Sequence, residues 1–269
     1  MCETLKLMCI LAHPDDESLG IGGILAKYAA EGIETYLLTA TRGERGWLGR
    51  PEDYPGPQAL GRRREAELRA AARVLGLQEV AFLDYLDGEL DQAKPAEVIE
   101  RIVKHIRRIK PQVVVTFDPF GSYGHPDHIA ISQFTTAAIV AAADPTYPVE
   151  GSPEPHRVSK LYYLASTPEK LAAYQIAFGE LRLRIDETER RAVSWEPWAT
   201  TTDIDIRAYG SQIWQAVTCH HSQLPVTEIL ADLSQEHNRN LWHSETYYRS
   251  FSLVNGGREQ ENDLFAGLR

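Results

Sequence analysis

Two short stretches concentrate the side chains that could do chemistry: Ala12-His13-Pro14-Asp15-Asp16-Glu17 and Tyr123-Gly124-His125-Pro126-Asp127-His128. His13 and Asp16 stand three apart on one turn, so both can reach a single metal ion. His128 joins them if the strands preceding the two stretches are neighbours in a sheet. Two imidazoles and a carboxylate with a position left open form the donor set of a catalytic Zn2+ site, and Fe2+ suits the same donors. A metal held this way polarises a carbonyl and lowers the pKa of water. Asp15 is then a spare carboxylate, placed to take a proton as general base. His125 and Asp127 flank His128, and a carboxylate bonded to an imidazole sets its tautomer and basicity. Tyr123 supplies a phenolic donor for a carbonyl or an oxyanion. Glu17 reads as a supporting residue at a helix start.

Each stretch alone has a plainer explanation. A single histidine near a strand end is usually a structural hydrogen-bonder, and acids before a helix cap it and favour its dipole. Two separate loops, each with His-Pro-Asp after an apolar run, argue for a shared site instead. Gly20, Gly22 and Gly23 do not have the G-x-G-x-x-G spacing of a dinucleotide loop, and acids stand where a pyrophosphate would sit.

The elements that must position these residues follow from periodicity. Apolar runs at 5–11, 35–40, 80–83, 113–117 and 161–165 predict buried strands. Helical spacing predicts helices over 20–31, 61–75, 95–109 and 129–143, with Gly76 as a C-terminal stop and Pro95 in a first turn. Beyond 165 the pattern weakens: a short helix over 168–179, a helix through Ile204, Ile206, Ile213 and Val217 to near His220, another over 228–241, and a last strand around Tyr247–Leu253. Strand–helix alternation predicts an α/β fold, a Rossmann-like doubly wound, mostly parallel sheet with helices on both faces. No composition break divides the chain, so residues 1–269 read as one domain, with 144–269 completing a cap over the site. The aromatic residues of that half (Trp195, Trp198, Trp214, Trp242, Tyr247, Tyr248) default to core.

Composition narrows the function classes. The 269 residues are 43% hydrophobic and 25% charged, with a formal net charge of -10, which argues against a nucleic-acid partner. No run approaches ~18 apolar residues, so no membrane span is expected. The N-terminal apolar run is too short for a signal peptide. Three cysteines (Cys2, Cys9, Cys219) make no disulfide framework, which points to a reducing, cytoplasmic setting. Oligomeric state, including a homo-oligomer, stays open.

The two motifs resemble the PIG-L/LmbE-like family of metal-dependent de-N-acetylases. Weaker similarities are Thr41-Arg42-Gly43-Glu44, the helix with Arg64-x-x-Glu67 leading to Leu75-Gly76, and His220-x-Ser222-Gln223. The resemblance spans roughly residues 5–225. It implies a zinc ion on His13, Asp16 and His128, with Asp15 as the base that later returns its proton to the leaving amine. His125, partnered by Asp127, would stabilise the tetrahedral intermediate, and Tyr123 would contact the acetyl oxygen. Arg64 matches an arginine that some relatives use to hold the far part of the substrate; Glu44 and Asp87 join it in the expected substrate-binding set. The implied activity is hydrolysis of an N-acetyl group from an amino sugar or its conjugate. Two alternatives stay open at this point. One is a relative with different metal chemistry, a hydratase or a deacylase for longer chains. The other is a non-catalytic ligand-binding module whose metal is structural. Residues 47–60 and 144–202 match no pattern of the family.

Overall fold

The computed structural model describes residues 4–151, 153–179, 182–185, 187–223, 240–257 and 259–269. Strand β1 (Lys6–Leu11) lies at the centre of a sheet and is buried from Leu7 onward. Strands β2 (Glu34–Thr41), β3 (Glu79–Tyr85), β4 (Val113–Thr116) and β5 (Lys160–Leu164) run parallel to it. The apolar runs arise because strands covered on both faces need no polar alternation. Strand β9 (Ser244–Ser252) adds antiparallel to β5, and β8 (Thr202–Asp205) adds antiparallel to β9. The order is β3-β2-β1-β4-β5-β9-β8.

Chain direction along the sheet reverses between β1 and β4, which pair in parallel with Cys9 opposite Val115. A crevice opens at such a switch point beyond the carboxyl ends of the strands. Both chemistry-bearing stretches leave the sheet there.

The helices are α1 (Asp16–Gly20), α2 (Gly22–Ala30), α3 (Pro57–Leu75), α4 (Pro95–Ile109), a single turn α5 (Gly121–Gly124), α6 (Pro126–Ala143), α7 (Pro168–Phe178) and α8 (Gly210–Val217). Proline in the first turn starts α3, α4, α6 and α7, where its missing N–H has no partner to lose. Gly76 ends α3 in the left-handed region, φ 79°.

The expected helix over 20–31 is two helices broken at Ile21 (φ −142°), and the first begins already at Asp16. The helix expected through Ile204 and Ile206 begins only at Gly210. Ile204 sits in β8, where buried Thr202 and Ile204 alternate with exposed Asp203 and Asp205, a two-residue period. Strands β6 (Arg182–Ile185) and β7 (Thr188–Arg191) form a hairpin that the charged sequence did not announce. The helix expected over 228–241 falls mostly outside the described residues. Of the late aromatics, Trp242 and Tyr247 are core, whereas Trp198 is 85% exposed.

The C-terminal segment is tied to the sheet by one buried carboxylate. Glu261 accepts from Lys160 Nζ (2.6 Å), Tyr162 (2.6 Å), Thr202 (3.2 Å), Asn255 (2.5 Å) and Arg249 (2.8 Å).

Candidate active site

After Leu11 the chain turns at once through Ala12, His13 and Pro14 into α1. The Asp16 carboxylate folds back over this turn, with Oδ2 accepting the N–H of Ala12 (3.2 Å) and of His13 (2.7 Å). Asp15 adopts φ 107°, ψ −28°, an unfavourable conformation for a residue with a Cβ. Such strain persists only where the surroundings over-determine it, and it concentrates at functional sites. From the end of β4 the chain delivers Phe117 and then, in the first turn of α6, His128. The two rings stack, with centroids 3.9 Å apart and planes within 10°.

His13 Nδ1 lies 3.1 Å from His128 Nε2 and 3.7 Å from Asp16 Oδ2, and His128 Nε2 lies 3.5 Å from Asp16 Oδ1. Four-coordinate metal bonds of about 2.0–2.1 Å place neighbouring ligand atoms about 3.3 Å apart. The three side chains therefore converge at close to that spacing, with Asp16 approaching the two rings through different carboxylate oxygens. The imidazole contact itself calls for a proton or a cation between the rings, because two nitrogen lone pairs cannot face each other at 3.1 Å.

The opposite edge of His13 is anchored. Its Nε2 is 3.1 Å from both Asp127 Oδ2 and Asp87 Oδ1. These carboxylates hold the Nε2 proton and leave Nδ1 free for a cation, the arrangement that orients ligating histidines. In the ion-free protein, burial opposes protonation of His13, but Asp127, Asp87 and Asp16 outweigh it and lift the ring to about 10. Asp16 is pushed up to about 7, chiefly by burial, against the pull of His13.

Other groupings of donors converge nearby: His13, His125 and His128 in one, and His13, Asp87 and Asp127 in another. The second is a brace rather than a ligand set, because its oxygens are already engaged. Asp127 accepts the N–H of Gly88 (2.7 Å) and Leu90 (3.1 Å), and Asp87 that of Arg45 (3.0 Å). His125 accepts the Asp127 N–H on Nδ1 (3.2 Å) at the start of α6. Burial and the neighbouring His13 lower its pKa to about 4. A neutral ring accepting on Nδ1 carries its proton on Nε2, as a donor.

The geometry gives several of the expected site residues specific partners. Asp127 spends its carboxylate on His13 and two backbone amides, not on His125 or His128. Arg64 is engaged within the protein. It is 3% exposed and donates to Gly43 O (2.9 Å), Pro14 O (2.5 Å) and Asp15 Oδ2 (3.0 Å). Two glycines lie beside it, and a Cβ on Gly43 or Gly46 would lie 2.2 Å from Arg64 Nη1, so a side chain there must displace the guanidinium. Asp87 serves His13, and Glu44 accepts the Asp87 N–H (3.3 Å). Arg64, Asp87 and Glu44, the residues expected to bind substrate, thus make contacts to or beside the loops that carry His13 and Asp15.

Asp15, Asp16, Tyr123 and His128 line one cavity of about 390 Å3, whose walls include Leu19, Leu164, Leu171, Val193 and Val217. Burial raises the Asp15 carboxyl, although Arg64 and His220 pull it down. Burial and the surrounding acids push the Tyr123 phenol well above its usual range, so it stays a donor. Asp118, also on the cavity wall, accepts from Trp195 Nε1 (2.8 Å) and Ser122 N (2.8 Å) and holds the loop before Tyr123. Glu17 and His220, which sequence reasoning left in minor roles, form a buried pair at 2.8 Å beside Asp15. The His220-x-Ser222-Gln223 motif was the available signal.

The arrangement agrees with what the chain resembles. Residues 8–139 match the family described as PIG-L: GlcNAc-PI de-N-acetylase. A 1D-myo-inositol 2-acetamido-2-deoxy-alpha-D-glucopyranoside deacetylase of Streptomyces griseus is 36% identical over 292 residues, covering 98% of this chain and 89% of the relative. The same-named protein of Rhodococcus erythropolis is 34% identical, covering 98% and 97%. A conserved Thermus thermophilus protein superposes with TM-score 0.64 at 28% identity over 94% of this chain and 98% of its own. An N,N'-diacetylchitobiose deacetylase of Pyrococcus horikoshii shares the fold, with TM-score 0.69 at 20% identity over 92% and 84%. On its motifs, its site and near-full-length similarity to these deacetylases, the chain belongs to the PIG-L family of de-N-acetylases.

Proposed function

We propose that this protein hydrolyses the acetamide of an N-acetylglucosamine unit in a small amino-sugar conjugate, releasing acetate and a free amine. The observation that carries the reading is the ion-competent trio His13, Asp16 and His128 with a separate carboxylate, Asp15, on the same cavity wall. A structural metal would account for the trio but not for Asp15. A substrate of the kind named for the actinobacterial relatives, N-acetylglucosamine linked to inositol, is the first to test.

Zn2+ or Fe2+ held by the trio would polarise the amide carbonyl and lower the pKa of water. The rest of the chemistry belongs to side chains. Asp15 accepts the proton of the attacking water on its carboxylate and later gives it to the departing nitrogen. Arg64 pins Asp15 Oδ2 at 3.0 Å, which leaves Oδ1 for that task. The Tyr123 hydroxyl and His125 Nε2–H donate to the acyl oxygen as negative charge develops on it. Asp127 and Asp87 hold His13 in register. The apolar cavity wall excludes water and packs against the C–H face of a sugar and the acetyl methyl.

We further propose that residues 144–269 complete the site as part of the same domain, since Val193, Val217 and His220 line the cavity while β5, β8 and β9 extend the sheet. A cytoplasmic setting is favoured by the free, buried Cys9 and the free Cys219. Among the described residues, no helix is long and apolar enough to cross a membrane. The test is acetate release from N-acetylglucosaminyl-inositol with and without chelator. Metal-dependent release supports the reading, and turnover indifferent to complete metal removal refutes it.

A further inference from the structure

Glu17 and His220 are 0% and 2% exposed, and they come from positions 203 residues apart. A glutamate in the first turn of a helix needs only solvent and the helix dipole. Enclosing it with an imidazole is costly and is unexplained by helix capping. What the pair touches gives the explanation. Glu17 Oε1 accepts from His220 Nε2 (2.8 Å) and from the Ser18 hydroxyl, while Oε2 accepts the backbone N–H of Asp15 (3.0 Å). Asp15 is the residue held at φ 107°. From the other side Arg64 holds Pro14 O and Asp15 Oδ2. The strained peptide is thus gripped on its N–H by Glu17 and on its preceding carbonyl by Arg64.

The turn that carries His220 is fixed in its own right. Ser222 donates through its N–H (2.9 Å) and hydroxyl (2.6 Å) to Glu67 on α3, one helical turn beyond Arg64. Gln223 Nε2 donates to Gly46 O (2.7 Å), beside the same arginine. The two weaker motifs, Arg64-x-x-Glu67 and His220-x-Ser222-Gln223, therefore converge on one task.

We propose that His220, acting through Glu17, is a positioning residue that locks the Asp15 turn in its strained, reactive geometry. The pair works on the base rather than on the metal, because Asp16 is held separately by the N–H groups of Ala12 and His13. The kinetic half of this inference rests on the deacetylase reading; the structural half does not.

His220→Ala should lower kcat about 10- to 100-fold, the usual cost of losing a group that orients a reactive one, with KM and metal stoichiometry unchanged. His220→Gln, whose amide can still donate to Glu17, should recover part of the loss. Should His220→Ala fail to fold, Glu17→Gln carries the same test, since one amide oxygen cannot serve both Asp15 N–H and His220. Wild-type kcat in these variants overturns the proposal, as does a kcat loss that merely follows loss of metal. A crystal structure of His220→Ala tests the lock without substrate. Asp15 relaxing out of the left-handed region supports it, and Asp15 unmoved overturns it whatever the activity. An inactive wild type would refute the deacetylase reading while leaving that structural result decisive.

Discussion

Asp127→Asn is the perturbation whose consequences the geometry specifies most fully. The carboxylate is fully buried; Oδ2 accepts from His13 Nε2 (3.1 Å) and Gly88 N (2.7 Å), and Oδ1 from Leu90 N (3.1 Å). An amide keeps the shape but has one oxygen. Placed at Oδ2 it serves His13 and Gly88 and turns its NH2 against the Leu90 N–H; the reverse orientation strands two donors. The first is favoured and leaves one buried N–H unpaired, costing about 1–3 kcal/mol of stability. With His13 as the proposed metal ligand, loss of the negative charge also makes the ring a poorer donor. Such changes weaken metal binding about 10- to 100-fold, equivalent to about 1.4–2.7 kcal/mol at about 1.36 kcal/mol per decade. Asp87, on the same nitrogen, limits the loss, so Asp87→Asn added to Asp127→Asn should couple rather than add. Metal competition against a chromophoric chelator measures the first effect, and thermal melting of the metal-free protein the second. A variant that melts lower yet binds metal within about twofold of wild type would refute the reasoning. Asp127 would then brace the loop without tuning His13.

Other expectations follow from the same contacts. Tyr123→Phe should lower kcat about 10²- to 10³-fold with intact metal binding, the range seen when one oxyanion donor is removed; steady-state kinetics with metal analysis checks it. Gly43→Ala should displace Arg64 and also place a Cβ at φ 68°, costing about 1–2 kcal/mol. Its kcat should fall more than its metal content, as kinetics and metal analysis of one preparation will show. Glu261→Gln should cost about 3–5 kcal/mol near neutrality, because it leaves Lys160 and Arg249 without their buried counter-charge. Burial raises the Glu261 carboxyl, but hydrogen bonds from Lys160, Tyr162 and Asn255 outweigh this and hold it below its usual range. Its stabilisation is therefore full above the unfolded-state value of about 4.5 and lost as pH falls through the lower folded value. Denaturant melts of wild type and Glu261→Gln should converge as pH drops below that value; a gap that stays constant would contradict the assignment.

Much of the architecture was legible because buried parallel strands print themselves as apolar runs. Val113–Thr116 and Leu7–Leu11 are examples, and their pairing put the two His-Pro-Asp loops side by side. The second half was harder to read for physical reasons. Strand β8 is an edge strand with only Thr202 and Ile204 buried, and Ile204 and Ile206 mimic the beginning of a helix. In the β6–β7 hairpin the alternation Arg182-Leu183-Arg184-Ile185 lasts only four residues, and β7 (Thr188–Arg191) has no apolar residue to answer it. Within the site, residue types and loop positions were readable, but partners were not. Asp127 is two residues from His125 and one from His128, yet its carboxylate goes to His13, 114 positions away. Nor does the sequence reveal that Gly43 and Gly46 lie against the Arg64 guanidinium. Glu17 and His220 became a pair only when α8 packed against α1 and brought its following turn to the first motif.

The most direct test of the central claim is a single-turnover assay of acetate release from N-acetylglucosaminyl-inositol, run on metal-loaded wild type, the metal-stripped protein and metal-loaded Asp15→Asn. The account predicts release by the first only, with Asp15→Asn retaining one metal per chain and losing about 10²- to 10⁴-fold in rate. Full-rate release by Asp15→Asn, or by the stripped protein, would contradict it.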